Sequence, residues 1–119
     1  MNPDKLETMQ EKICRKYGAG FAQVDLELMI GVSDNLGSKT MSINGLRHSR
    51  HEHTTGWYIW SGELSNDKKF FKPMHVHHFI EKYPVIAVYL GLAPGWRFQI
   101  DPEAQYEDVW FDSTLLIDE

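Results

Sequence analysis

All four tryptophans of the chain, Trp57, Trp60, Trp96 and Trp110, fall between positions 56 and 112, in short β-prone runs separated by turn signals. Side chains of this size bury large areas, so whatever the chain folds into must be assembled around that segment. Trp96-Arg97-Phe98-Gln99-Ile100 alternates apolar and polar positions, which predicts a strand with Trp96, Phe98 and Ile100 on one face. Arg97 then points the other way, toward solvent or a carboxylate such as Asp112. Gly56-Trp57-Tyr58-Ile59-Trp60 is a second β-prone run, closed by Ser61-Gly62, and Val109-Trp110-Phe111 is a third. A polar link of about eight residues containing Pro102 joins the Trp96 and Val109 runs and suits an antiparallel pairing. Trp57 and Trp60 are three apart and face opposite sides of a strand, so one can fill the core while the other stays exposed.

The flanking elements read as follows. Residues 4–17 predict an amphipathic helix with Leu6, Met9, Ile13 and Tyr17 on one stripe, Pro3 near its start and Gly18 just past its end. Residues 22–32 alternate in part, with Val24, Leu26, Leu28 and Ile30 on one side, and predict a strand. Residues 33–55 are rich in Gly, Ser, Asn, Asp and His and read as a long loop with a short strand near Met41-Ser42-Ile43. Residues 66–72 are polar and lead to Pro73. Residues 75–83 predict a helix with Val76, Phe79, Ile80 and Tyr83 on one face; residues 85–92 are an apolar run compatible with a buried helix or a buried strand. The fold class expected is α+β: an N-terminal helix and a small antiparallel sheet with one or two further helices packed on it.

The 119 residues fit one domain, 1–119. A single cysteine, Cys14, excludes an intramolecular disulfide and a thiolate zinc site, and fits a reducing compartment. The N-terminus does not read as a signal peptide and no apolar run reaches the roughly 20 residues of a membrane span, so a cytoplasmic location and no membrane partner are expected. The net charge of −5 argues against nucleic acid as a partner. That charge is uneven. Asp101, Glu103, Glu107, Asp108, Asp112, Asp118 and Glu119 all follow Ile100, where no Lys or Arg occurs.

No catalytic motif emerges. Ser61 lies outside any GxSxG pattern, and residues 91–95 carry neither the Lys-Ser/Thr of a phosphate loop nor a GxGxxG. Cys14, beside Arg15 and Lys16 on a helix, reads as a small core residue. The six histidines fall in two groups, His48, His51 and His53 in the loop and His75, His77 and His78 at a helix start. They lack HExxH, cysteine pairs and matched carboxylates, so no metal site and no cofactor are expected; a metal-dependent enzyme or sensor using His51, His53, His75 and His78 is the alternative they leave open.

The blocks Gly56-Trp57-Tyr58-Ile59-Trp60-Ser61-Gly62-Glu63, Phe70-Phe71-Lys72-Pro73-Met74-His75, Leu90-Gly91-Leu92-Ala93-Pro94-Gly95-Trp96-Arg97-Phe98 and Val109-Trp110-Phe111-Asp112 resemble the immunity proteins of bacterial polymorphic toxin systems. The resemblance covers the C-terminal half of the chain, with an immunity-like core at 56–112. It implies a non-enzymatic, cytoplasmic inhibitor that binds and neutralises a cognate toxin domain, with Pro94, Gly95, Trp96, Phe98 and Trp110 as fold determinants and no catalytic residues. An acidic inhibitor suits a basic effector domain. The partner-binding residues expected are Glu103, Glu107, Asp108 and Asp112, with Trp60 or Tyr106 as aromatic anchors. A regulatory interaction module without a toxin partner is the remaining alternative.

Overall fold

The structure, a computed structural model, describes residues 2–37 and 41–116; Asp118 and Glu119 of the acidic end lie outside the described residues. The fold is α+β. Helix α1 (Pro3–Tyr17) is followed by strands β1 (Met29–Ser33), β2 (Ile43–Arg47), β3 (Thr54–Ser61) and β4 (Phe71–His75). Helices α2 (Val76–Lys82) and α3 (Pro84–Ala87), strands β5 (Trp96–Asp101) and β6 (Tyr106–Phe111), and a 3-10 turn at Ser113–Leu116 complete it.

The six strands form one sheet in the order β4-β1-β3-β2-β5-β6. Every neighbouring pair is antiparallel except β1 and β3, which run parallel. The sheet is thus larger than the small antiparallel one expected, and it carries one parallel pair. Helices cover one face. There Ile30, Val32, Ile43, Trp57, Ile59, Phe98, Ile100 and Val109 meet Leu6, Cys14, Val76, Phe79, Ile86 and Leu90 in the main core. A smaller cluster of Leu46, Trp60 and Leu115, with Tyr58, Phe70 and Phe71 against it, sits on the other face.

Local chemistry explains where the elements begin and end. Asn2 caps α1 by accepting from Lys5 N at 2.8 Å, and Gly18 ends it in the left-handed region at φ 69°. The buried stripe of α1 is Leu6, Gln10 and Cys14, with Ile13 and Tyr17 half-buried beside it. It is rotated from the apolar stripe because Gln10 is drawn inward: its Nε2 donates to the Ala87 carbonyl at 3.0 Å.

Four expectations are corrected. Strand β1 begins at Met29, because the chain before it is held elsewhere. Phe21 bridges Leu92, Ala22 N donates to Gly91 O, and a turn at Asp25 receives Leu28 N and Glu27 N. Leu26 is consequently exposed. The stretch 33–55, expected to be a long loop with a short strand near Met41-Ser42-Ile43, contains β2, which starts only at Ile43 and runs to Arg47; its centre, Asn44-Gly45, interrupts the apolar pattern. Its connection to β3 is a tight turn in which Thr54 N donates to His51 O. Strand β4 lies where only a polar approach to Pro73 was evident; as an edge strand it tolerates a residue with no N–H. Finally, residues 85–92 are neither helix nor strand throughout: α3 gives way to successive turns in which Tyr89, Leu90 and Leu92 donate to Ile86, Ala87 and Tyr89. The β5–β6 pairing is as expected, with Asp101 opposite Tyr106 and a shorter link than eight residues.

Those turns explain a buried cation. Arg47 is only 4 % exposed and, among the described residues, faces no carboxylate within hydrogen-bonding reach. Its Nε donates to Thr55 O, and its Nη1 donates to Ala22 O and Leu92 O at 2.9 and 2.8 Å. Trp57 Nε1 shares the Leu90 carbonyl at 3.0 Å, and the guanidinium lies over the Trp57 ring. Burial pulls the Arg47 pKa down to about 10, so it remains charged at neutral pH. One side chain thereby ties the irregular 20–22 and 90–92 segments to the middle of the sheet.

Candidate functional site: the β5–β6 edge

Strand β6 is an edge strand and carries Glu107 and Asp108, two of the five described acidic residues after Ile100; Asp101, Glu103 and Asp112 flank it. Alternation sorts its side chains. Val109 is buried in the main core, so Glu107 shares the helical side with it, while Tyr106, Asp108 and Trp110 face the uncovered side. Opposite them on β5 stand Asp101, Gln99 and Arg97. Gln99 Nε2 donates to Asn44 Oδ1, which extends a polar row onto β2. Glu103 lies exposed in the β5–β6 turn, where Asp101 accepts from Ala104 N and Gln105 takes φ 55°.

The exposed group is therefore Glu103, Tyr106, Asp108 and Trp110. Tyr106 is 46 % and Trp110 36 % exposed, and Phe111 at the strand end is 49 % exposed. Arg97 lies over the Trp110 ring, its guanidinium 5.5 Å from the ring centroid. Arg97 is in turn paired with Asp112 at 3.2 Å, the carboxylate expected from the alternation of β5. The Thr114 hydroxyl, the Thr114 N–H and Arg97 together hold the Asp112 carboxyl below its usual range. Asp112 is thus engaged in fixing the strand end.

Glu107, expected among the partner-binding residues, lies within β6 on the helical side. It turns inward and accepts from three donors: Lys16 Nζ at 2.7 Å, Tyr17 Oη at 2.5 Å and Tyr89 Oη at 2.5 Å. Burial alone would raise its pKa, but these hydrogen bonds outweigh burial and the net shift is downward. Burial, then the bond to Glu107, raises the phenol of Tyr89 well above its ordinary range, and Tyr17 shifts the same way. The three-donor cluster joins α1, the turn after α3, and β6.

Trp60 is also not exposed. It is 4 % accessible, its Nε1 donates to Gly62 O, and Phe71 packs against its ring. Both Trp57 and Trp60 are core residues, one for each face of the sheet. Trp110 takes the exposed position instead. Its parity with Tyr106 and Asp108 was present in the sequence; so was that of Glu107 with Val109.

Other chemistry is sparse. Burial pushes the Cys14 thiol up, which suits a packing role and not a nucleophile. Among the described residues, His75, His77 and His78 bring ligand atoms within 4.8 Å of one another. His51 and His53 lie in the β2–β3 turn and are not part of that group. No helix among the described residues is long and apolar enough to cross a membrane.

No curated protein and no solved structure matches the chain at a significant level. The Imm33-like domain matches residues 9–112, a span that runs from within α1 through β6 and so takes in the whole sheet. By this match the chain belongs to the Imm33-like domain family, an immunity-protein-like family.

Proposed function

We propose that this protein is a non-enzymatic immunity protein that binds a cognate bacterial toxin domain in the cytoplasm and neutralises it. The observation that carries the reading is the Imm33-like match over residues 9–112. The geometry of the β5–β6 edge supports a contact surface there. Glu103 and Asp108 supply negative charge, and Tyr106 and Trp110 supply large side chains that lose little entropy on binding. Glu107 and Asp112 support that surface from behind through their own hydrogen bonds, and Trp60 fills the cluster beside it. A basic toxin domain fits such a surface, because complementary charge raises the rate of encounter and selects against other acidic partners.

The test is co-expression with the toxin encoded next to this gene, with pull-down of the complex. Rescue of growth and a stable complex are expected. A toxin that remains equally lethal and forms no complex would falsify the reading, and a gene neighbourhood without any toxin would favour a regulatory interaction module instead.

A further inference from the structure

We infer that His75, His77 and His78 form a binding site for a divalent transition-metal ion of the zinc type. The three rings offer ligand atoms that all lie within 4.8 Å of one another. The His77 and His78 ring centroids are 4.3 Å apart, those of His75 and His77 5.4 Å, and those of His75 and His78 6.1 Å. A tetrahedral ion about 2.0–2.1 Å from each nitrogen would hold the nitrogens roughly 3.4 Å apart. Side-chain rotations that move each ring by about an ångström close that difference.

The backbone holds these rings together. Strand β4 runs directly into α2, and His75 at the junction keeps an extended conformation, φ −61° and ψ 143°, without capping the helix through its side chain. Val76, between the ligands, is fully buried, as is Phe79 one turn on. Val76 N donates to Leu28 O and His77 N to Leu26 O. The scaffold is therefore anchored while the imidazoles point outward: His75 and His77 are half-buried and His78 is exposed. Among the described residues, the histidine whose ring makes a hydrogen bond to the protein is His48, to Leu115 O. Among the described residues, none is hydrogen-bonded to the ring nitrogens of the trio, which leaves them open to a ligand.

The donor set decides the class of ion. Three imidazoles with no thiolate and no carboxylate within the group suit Zn²⁺, Ni²⁺, Co²⁺ or Cu²⁺ and not Ca²⁺ or Mg²⁺, which require oxygen ligands. Three protein ligands also leave a coordination position for water or a group from another molecule. His77 lines a groove between α1 and α2 whose walls include Glu7, Leu6, Ile80 and Glu81. The two carboxylates favour a cation on that side.

This inference does not depend on the toxin, and its test uses this chain alone. Untagged full-length protein stripped with a chelator would be titrated with Zn²⁺ against a colorimetric competitor. One equivalent should bind, and His77→Ala and His78→Ala should each weaken binding at least about tenfold, since even outer partners of metal ligands have effects of that size. The double variant His51→Ala/His53→Ala should bind as the wild type does. On the wild-type protein, the ring nitrogens of His75, His77 and His78 should shift together in long-range ¹H–¹⁵N spectra as the ion is added. Failure to bind an equivalent of Zn²⁺, unchanged affinity in both trio variants, or shifts confined to other histidines would each overturn the site.

Discussion

Two charged side chains, Arg47 and Glu107, are held in the interior or at its margin, the first by neutral carbonyls and the second by two phenols and an ammonium. Arg47 is a cation among carbonyls. Its removal would leave the oxygens of Ala22, Thr55 and Leu92 without this donor, in places that water does not freely reach. Arg47→Met is therefore expected to cost about 3 kcal/mol or more in urea denaturation, and Arg47→Lys to recover only part of that because it lacks the planar fork. A lysine variant as stable as the wild type would rule out the fork as the reason for Arg47. Glu107 accepts from two phenols and one ammonium. Its folded pKa lies below the unfolded value of about 4.3. The resulting stabilisation is complete above that unfolded value and is lost as pH falls through the lower folded one. Glu107→Gln should cost about 1–2 kcal/mol at pH 7 and flatten the acid limb of the stability–pH curve, measured by denaturant titration between pH 2 and 7. Neither role was legible in the sequence as read. Alternation carried the inward direction of Glu107 through Val109, but the donors waiting there come from Lys16, Tyr17 and Tyr89, far away in the chain. For Arg47 no local signal exists, because its acceptors are carbonyls of irregular segments.

At the scale of elements, legibility followed the strength of the local pattern. Strand β5 alternates without interruption, and its position and the Arg97–Asp112 pair could both be anticipated. Helix α1 carries a cap, a stop and an amphipathic face, and it too was readable. Strand β2 was readable only as a short strand near Met41-Ser42-Ile43, and β4 not at all, because Asn44-Gly45 and Lys72-Pro73 dilute their apolar periodicity and tertiary pairing sets their extent. Two glycines, Gly56 in β3 and Gly18 at the end of α1, offer a clean contrast. Gly56 has φ 91°, and a Cβ there would run into the His48 carbonyl oxygen, a backbone atom with little freedom to move. Gly18 has φ 69° with nothing within 4 Å of such a Cβ. Gly56→Ala is expected to lose roughly 3 kcal/mol or more, and Gly18→Ala about 1 kcal/mol. Thermal unfolding of the two variants side by side checks the order; equal losses would contradict it.

The whole molecule divides its sheet between two tasks. One face is filled by the helices, and the other leaves the β5–β6 edge open with its acidic and aromatic side chains outward. Charge reversal at Glu103 and Asp108 should slow association with a basic toxin about tenfold at low ionic strength, and the difference should shrink as salt is added. Tyr106→Ala should instead act mainly on dissociation, weakening the complex about tenfold or more. Surface-plasmon kinetics at two salt concentrations separates the two effects. The Glu107 cluster adds a temporal condition to all of this. It clasps the first helix, through Lys16 and Tyr17, to the last strand of the sheet. On the ribosome, α1 emerges long before its partner on β6 is made, and β1 must wait for both β3 and β4. A nascent chain in which Tyr106–Phe111 has yet to be made has neither the clasp nor the outward side chains of β6, so the proposed contact surface and the bracing of α1 arise together, with that strand.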